Sequence, residues 1–152
     1  MSGQTARTME RRCADVRARL RADVDLWAAS NDQFGSPSHL VPLSFYWDGT
    51  AIVLATDPTT VTGRNLETTG RVRFALGTTR DVVLVDGIAE SSPVHDIDPG
   101  VASAFAEKAG FDPRTDPDRY RYFRVVPERI QAWRNESEGQ HPTVLRDGTW
   151  LG

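Results

Sequence analysis

The chain has 152 residues, 39 % of them apolar and 26 % charged, with a formal net charge of −3. That length suits one domain with a core of its own, and the composition is that of an ordinary soluble globular protein. The acidic balance excludes a protein built to grip nucleic acid, which needs a strong basic excess.

Residues 1–8 are polar and read as a loose N-terminus to a single domain spanning 1–152. They lack the apolar centre of a secretion signal. From Met9 the apolar positions Cys13, Val16, Leu20, Val24 and Trp27 recur three or four apart, predicting a helix with one buried stripe that packs over the end of a sheet. Cys13 is the lone cysteine, which rules out an internal disulfide and points to a reducing cytoplasm; its place on the stripe makes it a semi-buried thiol. Asn31–Ser38 reads as a loop. His39–Trp47 then gives a strand with Val41, Leu43, Phe45 and Trp47 on one face. Pro42 has no N–H for a ladder, so one side of this strand is unpaired at its middle, or bulged. Asp48-Gly49 predicts a tight hairpin into Ala51–Thr56.

Ala51–Gly70 is the segment richest in chemistry. An apolar strand runs into a turn of Thr, Asp and Pro and then a short helix. At a helix N-terminus the backbone N–H groups lack partners and the dipole attracts anions. Thr59, Thr60 and Thr62 add hydroxyls, and Arg64 adds a planar fork suited to phosphate oxygens. The segment therefore reads as the holder of a phosphate. In the competing reading Arg64 and Asn65 cap the helix and pair with Glu67 or Asp57 on the surface.

Strands follow over Arg71–Gly77 and Val82–Glu90, with only Thr78–Asp81 between them. Asp98-Pro99 predicts the start of a helix that Gly110 ends. Tyr120–Trp133 supplies one or two strands broken at Pro127, and Asp147-Gly148 marks a turn within Thr143–Trp150. About six strands with few, short helices predict a mainly β fold, an antiparallel barrel with helical decoration. No run is long and apolar enough for a membrane span. No His/Cys/Asp cluster has metal-ligand spacing, and no serine sits in a nucleophile elbow. All but Lys108 of the 18 basic residues are Arg, which we read as the codon bias of a GC-rich genome.

Together HLVPLSFYWDG (39–49), AIVLAT (51–56), TTVTGRNL (59–66), GRVRFALG (70–77), VVLVDGIAE (82–90) and RVVPERIQAW (124–133) resemble the split β-barrel flavoproteins related to pyridoxamine 5′-phosphate oxidase, including their deazaflavin-dependent relatives. The resemblance implies a homodimer with cofactors in grooves at the subunit interface and hydride transfer to or from a small organic substrate. It places the backbone of Val41, Pro42, Leu43 and Ser44 along the cofactor ring. Thr56, Thr60, Thr62, Arg64 and Asn65 would surround the phosphate, and Trp133 would cover the groove, from its own or the partner subunit. The implied cofactor is FMN, or alternatively the deazaflavin coenzyme F-420. A non-catalytic carrier of the same cofactor or of another phosphorylated ligand is the rival reading, and a groove without a ligand is a third. One departure stands out: the family's usual Lys two residues before the Arg of the RNL motif is Thr62 here.

Overall fold

The computed structural model describes residues 5–152. Of the octet expected to be loose, residues 1–4 lie outside the described residues, whereas Arg7 and Thr8 are held. Arg7 pairs with Glu138 at 2.7 Å, and the Thr8 hydroxyl caps helix α1 (Met9–Ala22) by accepting from the Arg11 N–H.

α1 carries the predicted stripe only as far as Leu20. It ends at Asp23, and strand β1 (Asp25–Ser30) begins two residues later. Val24 and Trp27, expected on the helix, are therefore in the linker and on a strand. In β1 Leu26, Ala28 and Ser30 point inward, while Trp27 points out and is 51 % exposed. A spacing of three or four had concealed a period of two.

The His39–Trp47 run forms β2 (His39–Ser44) and β3 (Tyr46–Trp47), parted at Phe45. β4 (Ile52–Thr56), α2 (Val61–Thr68), β5 (Arg71–Thr78) and β6 (Asp81–Pro93) follow. Then come α3 (Pro99–Ala109), β7 (Arg121–Trp133), the one-turn α4 (Glu136–Gly139), β8 (Thr143–Arg146) and β9 (Thr149–Trp150). All pairings are antiparallel, in the order β2-β1-β5-β6-β7-β4-β3, with the β8–β9 hairpin on β7. β2 and β3 occupy opposite ends of that order yet are consecutive in the chain, so Phe45, fully buried, is where the sheet curls shut. This is the expected split barrel.

β7 is one continuous strand, not two. Pro127 lies after the stretch that pairs with β4 (Arg121–Val125) and before the stretch that pairs with β8 (Arg129–Gln131), so its missing N–H falls in a gap. On the other side the register with β6 slips, Asp86 facing Arg129 and Gly87 facing Pro127, which leaves Glu128 as the bulged residue. Asp147 and Gly148 both adopt positive φ (51° and 79°), as a two-residue hairpin between β8 and β9 requires.

The main core fills the barrel and is closed by Cys13, Val16 and Leu20 of α1. A second cluster lies under α3, where Phe105 meets the Tyr122 ring edge-on at 5.8 Å. Each fully buried side chain of this size contributes about 1.5–3 kcal/mol. Among the described residues no helix is long and apolar enough to cross a membrane.

Candidate functional site

The turn from β4 into α2 is built by its own side chains. The Asp57 carboxylate accepts from the Thr59 N–H (2.8 Å) and hydroxyl (2.7 Å), bonds that hold it below the usual carboxylate range. The Thr60 hydroxyl donates to the Asp57 carbonyl (2.8 Å) and accepts from the Gly63 N–H (3.1 Å), so it is the N-cap of α2. Gly63 lets the helix sit against the turn: a Cβ there would come within 2.3 Å of the Asp57 carbonyl oxygen. Capping leaves the N–H groups of Val61 and Thr62 without intrahelical partners.

Side chains of α2 divide between two faces. Thr62 and Asn65 are each only 5 % exposed. The Asn65 amide donates to the buried Ser30 hydroxyl at 3.1 Å, and the Thr69 hydroxyl reaches the Asn31 carbonyl at 3.3 Å. These bonds fix α2 to the end of β1, where Ser30 pairs with His39 of β2. Arg64 is on the solvent side. The carboxylates it would pair with as a surface residue are engaged elsewhere: Glu67 with Arg121 (3.0 Å) and the Ser91 hydroxyl (2.7 Å), Asp57 with Arg119 (3.7 Å). Among the described residues Arg64 has no ion-pair partner.

Among the described residues β2 is an edge strand that pairs with β1 alone. The far edge of Val41–Ser44 thus carries no strand, in line with the expectation from Pro42. Pro42 is exposed and pairs across with Trp27, while Leu43 packs on the main core and the Ser44 hydroxyl donates to Asp25 at 2.7 Å. Thr56 ends β4 opposite Arg121, half-buried. The structure therefore gathers Thr60, Thr62, Arg64 and Asn65 on one helix, docked at the His39 end of the Val41–Ser44 edge.

Trp133 is not brought to that place. It pairs with Val82, whereas the α2 end of the sheet is marked by Arg71 pairing with Ile88. Six residues of strand separate the two, about 20 Å. Trp133 instead lines an open cleft of about 680 Å³ with Thr79, Arg80 and Asn135. In a single protomer it cannot cover a groove at α2. A second cleft, of about 580 Å³, lies on the outer sheet face and is lined by Arg71, Arg73, Arg129 and Arg146. Sequence reading missed this grouping; its only trace is the Arg71-Val72-Arg73 alternation, since the strands that complete it lie far apart in the chain.

No family model and no curated protein matches the chain. Solved structures do. A pyridoxamine 5′-phosphate oxidase-like protein from Listeria innocua superposes with a TM-score of 0.63 at 15 % identity, over 80 % of this chain and 98 % of its own. A FAD-binding protein from Mesorhizobium loti gives 0.60 at 17 % identity, covering 78 % and 89 %. A protein described as an F420 reductase gives 0.63 at 15 % identity, covering 75 % and 94 %. At such identities the likeness shows the fold, the split barrel of pyridoxamine 5′-phosphate oxidase-like proteins.

Proposed function

We propose that this split-barrel chain is a homodimeric oxidoreductase that binds a flavin-type cofactor, FMN or the deazaflavin coenzyme F-420, and serves hydride transfer to or from a small organic substrate. The observation that carries the reading is Arg64: a guanidinium in the first turn of α2 with no carboxylate partner among the described residues, Glu67 and Asp57 being paired elsewhere. A charge left unpaired beside two free helix N–H groups is the donor set a phosphate needs. In this reading Arg64 and the N–H groups of Val61 and Thr62 grip the phosphate. Thr60 shapes the turn and Asn65 anchors the helix. The bare edge of Val41–Ser44 receives the ring.

The cofactor, when bound, supplies the redox chemistry. The chain's part is to orient it and keep water from one face. Trp27, 51 % exposed, and Leu40, 59 % exposed, share the outer face of β1 and β2 with Pro42. That apolar patch fits a second copy better than water, and in this reading any cover from Trp133 comes from that copy.

The test is fluorescence titration of ligand-stripped protein with FMN and with coenzyme F-420. Saturation at micromolar affinity by one of them, with Arg64→Ala weakening it about tenfold or more, is the expected result; that factor is the lower end for a charge-assisted hydrogen bond. Binding that never leads to oxidation of the reduced cofactor by any screened acceptor would assign carriage in place of catalysis. No binding of either cofactor by folded protein would remove the proposal.

A further inference from the structure

We infer that the chain carries a second ligand site, the arginine-lined cleft on the outer face of β5–β8, and that it takes a small organic polyanion. The inference stands apart from the cofactor reading, because none of Thr60, Thr62, Arg64 and Asn65 lines this cleft.

Its centre is a cross-strand row. Arg73 of β5 faces Asp86 of β6, Asp86 faces Arg129 of β7, and Arg129 faces Arg146 of β8. Directly opposed residues share a face and interact. Asp86 accepts from Arg73 on both its oxygens and from Arg129 at 3.4 Å, so one carboxylate serves two guanidiniums. Arg146, next in the row, has no carboxylate partner among the described residues, and neither has Arg71, two positions along β5.

A row meant only to stabilise the sheet would alternate its charges. Here Arg129 and Arg146 are opposed like charges, an arrangement that destabilises a strand pair. An anion lying between them removes that repulsion. Glu128 and Asp147 are the other carboxylates lining the cleft. Four guanidiniums against three carboxylates make it basic on a chain whose net charge is −3.

Shape narrows the ligand. The row from Arg73 to Arg146 crosses three strand spacings, about 14 Å of backbone, which long arginine arms shorten. A volume of about 580 Å³ suits a small organic molecule and far exceeds one inorganic ion. The floor includes Ala29 and Gly87, small residues that leave room for a carbon skeleton, while Val72 contributes backbone only, its side chain being in the main core. Gly87 sits at the β-bulge, a feature enriched near binding sites. A molecule with anionic groups at both ends, met by Arg71 and Arg146, uses all of this.

Calorimetric titration of the full chain with citrate and, separately, fructose 1,6-bisphosphate tests the site and tells a polycarboxylate from a phosphate ester. At least one should bind saturably, one per chain. Arg146→Ala and Arg71→Ala should each weaken it about tenfold or more while melting temperature and FMN affinity hold. Arg64→Ala should leave it unchanged. Lack of saturation by both probes below millimolar concentration overturns the inference. So does binding that survives both cleft substitutions, or that FMN displaces competitively, since the site would then be the cofactor's own.

Discussion

Arg7 and Glu138, 131 positions apart, are locked by two side-chain bonds, Nη2 to Oε1 at 2.7 Å and Nε to Oε2 at 2.9 Å. The N–H groups of Arg7 and Arg134 also donate to the same carboxylate, each at 2.8 Å. The pair joins the entry of α1 to α4 and so ties the N-terminus to the segment after β7.

Glu138 gives the protein a definite acid response. The bonds from Arg7 lower its pKa from 4.5 to about 2 against the opposing effect of burial. A carboxyl depressed on folding contributes stability above its unfolded pKa and loses it as pH falls through the folded one. The contribution should be complete above about pH 5, decline from about pH 4.5 and be gone just below pH 2, a loss of about 3 kcal/mol. Urea midpoints of wild type and Glu138→Gln across that window check this. The wild type should fall more steeply, and parallel curves would show that the pair adds nothing.

Asn65 and Arg64 are neighbours with opposite expected phenotypes. Asn65→Ala leaves the buried Ser30 hydroxyl without its donor and should cost about 1–3 kcal/mol of stability. Arg64→Ala removes a side chain with no partner among the described residues and should shift stability by less than about 0.5 kcal/mol. Thermal melts of the two variants decide it; equal destabilisation would mean that Arg64 is structural.

Gly63→Ala tests how α2 is seated. The added Cβ would meet the Asp57 carbonyl at 2.3 Å and the Pro58 Cα at 2.6 Å, both backbone atoms that cannot swing aside. Expected are a destabilisation of about 1–3 kcal/mol and a weaker cofactor site, read by denaturation and by FMN titration. A variant as stable as wild type would show that the turn yields.

How far these features were legible in sequence depended on whether their signal was local. The Thr60 cap, the Asp98-Pro99 helix start and the Asp147-Gly148 turn are set by adjacent residues and read directly. β1 was hidden because Val24 and Trp27 happen to extend the helical spacing of α1, and only the burial of Leu26 and Ala28 reveals the switch of period. Pro127 signalled a break but not that its N–H would fall between two partner strands. The Asn65–Ser30 bond and the Arg73–Asp86–Arg129–Arg146 row need a register between distant strands, which no window of sequence contains.

The apolar patch of Trp27, Leu40 and Pro42 yields the last prediction. Trp27 and Pro42 are directly paired on β1 and β2, and Leu40 lies two residues along the same outer face. If this face meets a second copy, a glutamate in it would be buried without a partner, which costs several kcal/mol. Leu40→Glu should therefore shift sedimentation from dimer to monomer at micromolar concentration. Being 59 % exposed in the protomer, the position should tolerate the change with little loss of secondary structure. FMN affinity should fall with the dimer, since the proposed groove needs both copies. A wild type that sediments as a monomer would refute the interface. A Leu40→Glu variant that stays dimeric would move the interface to another face, and with it the placement of the partner's share of the groove.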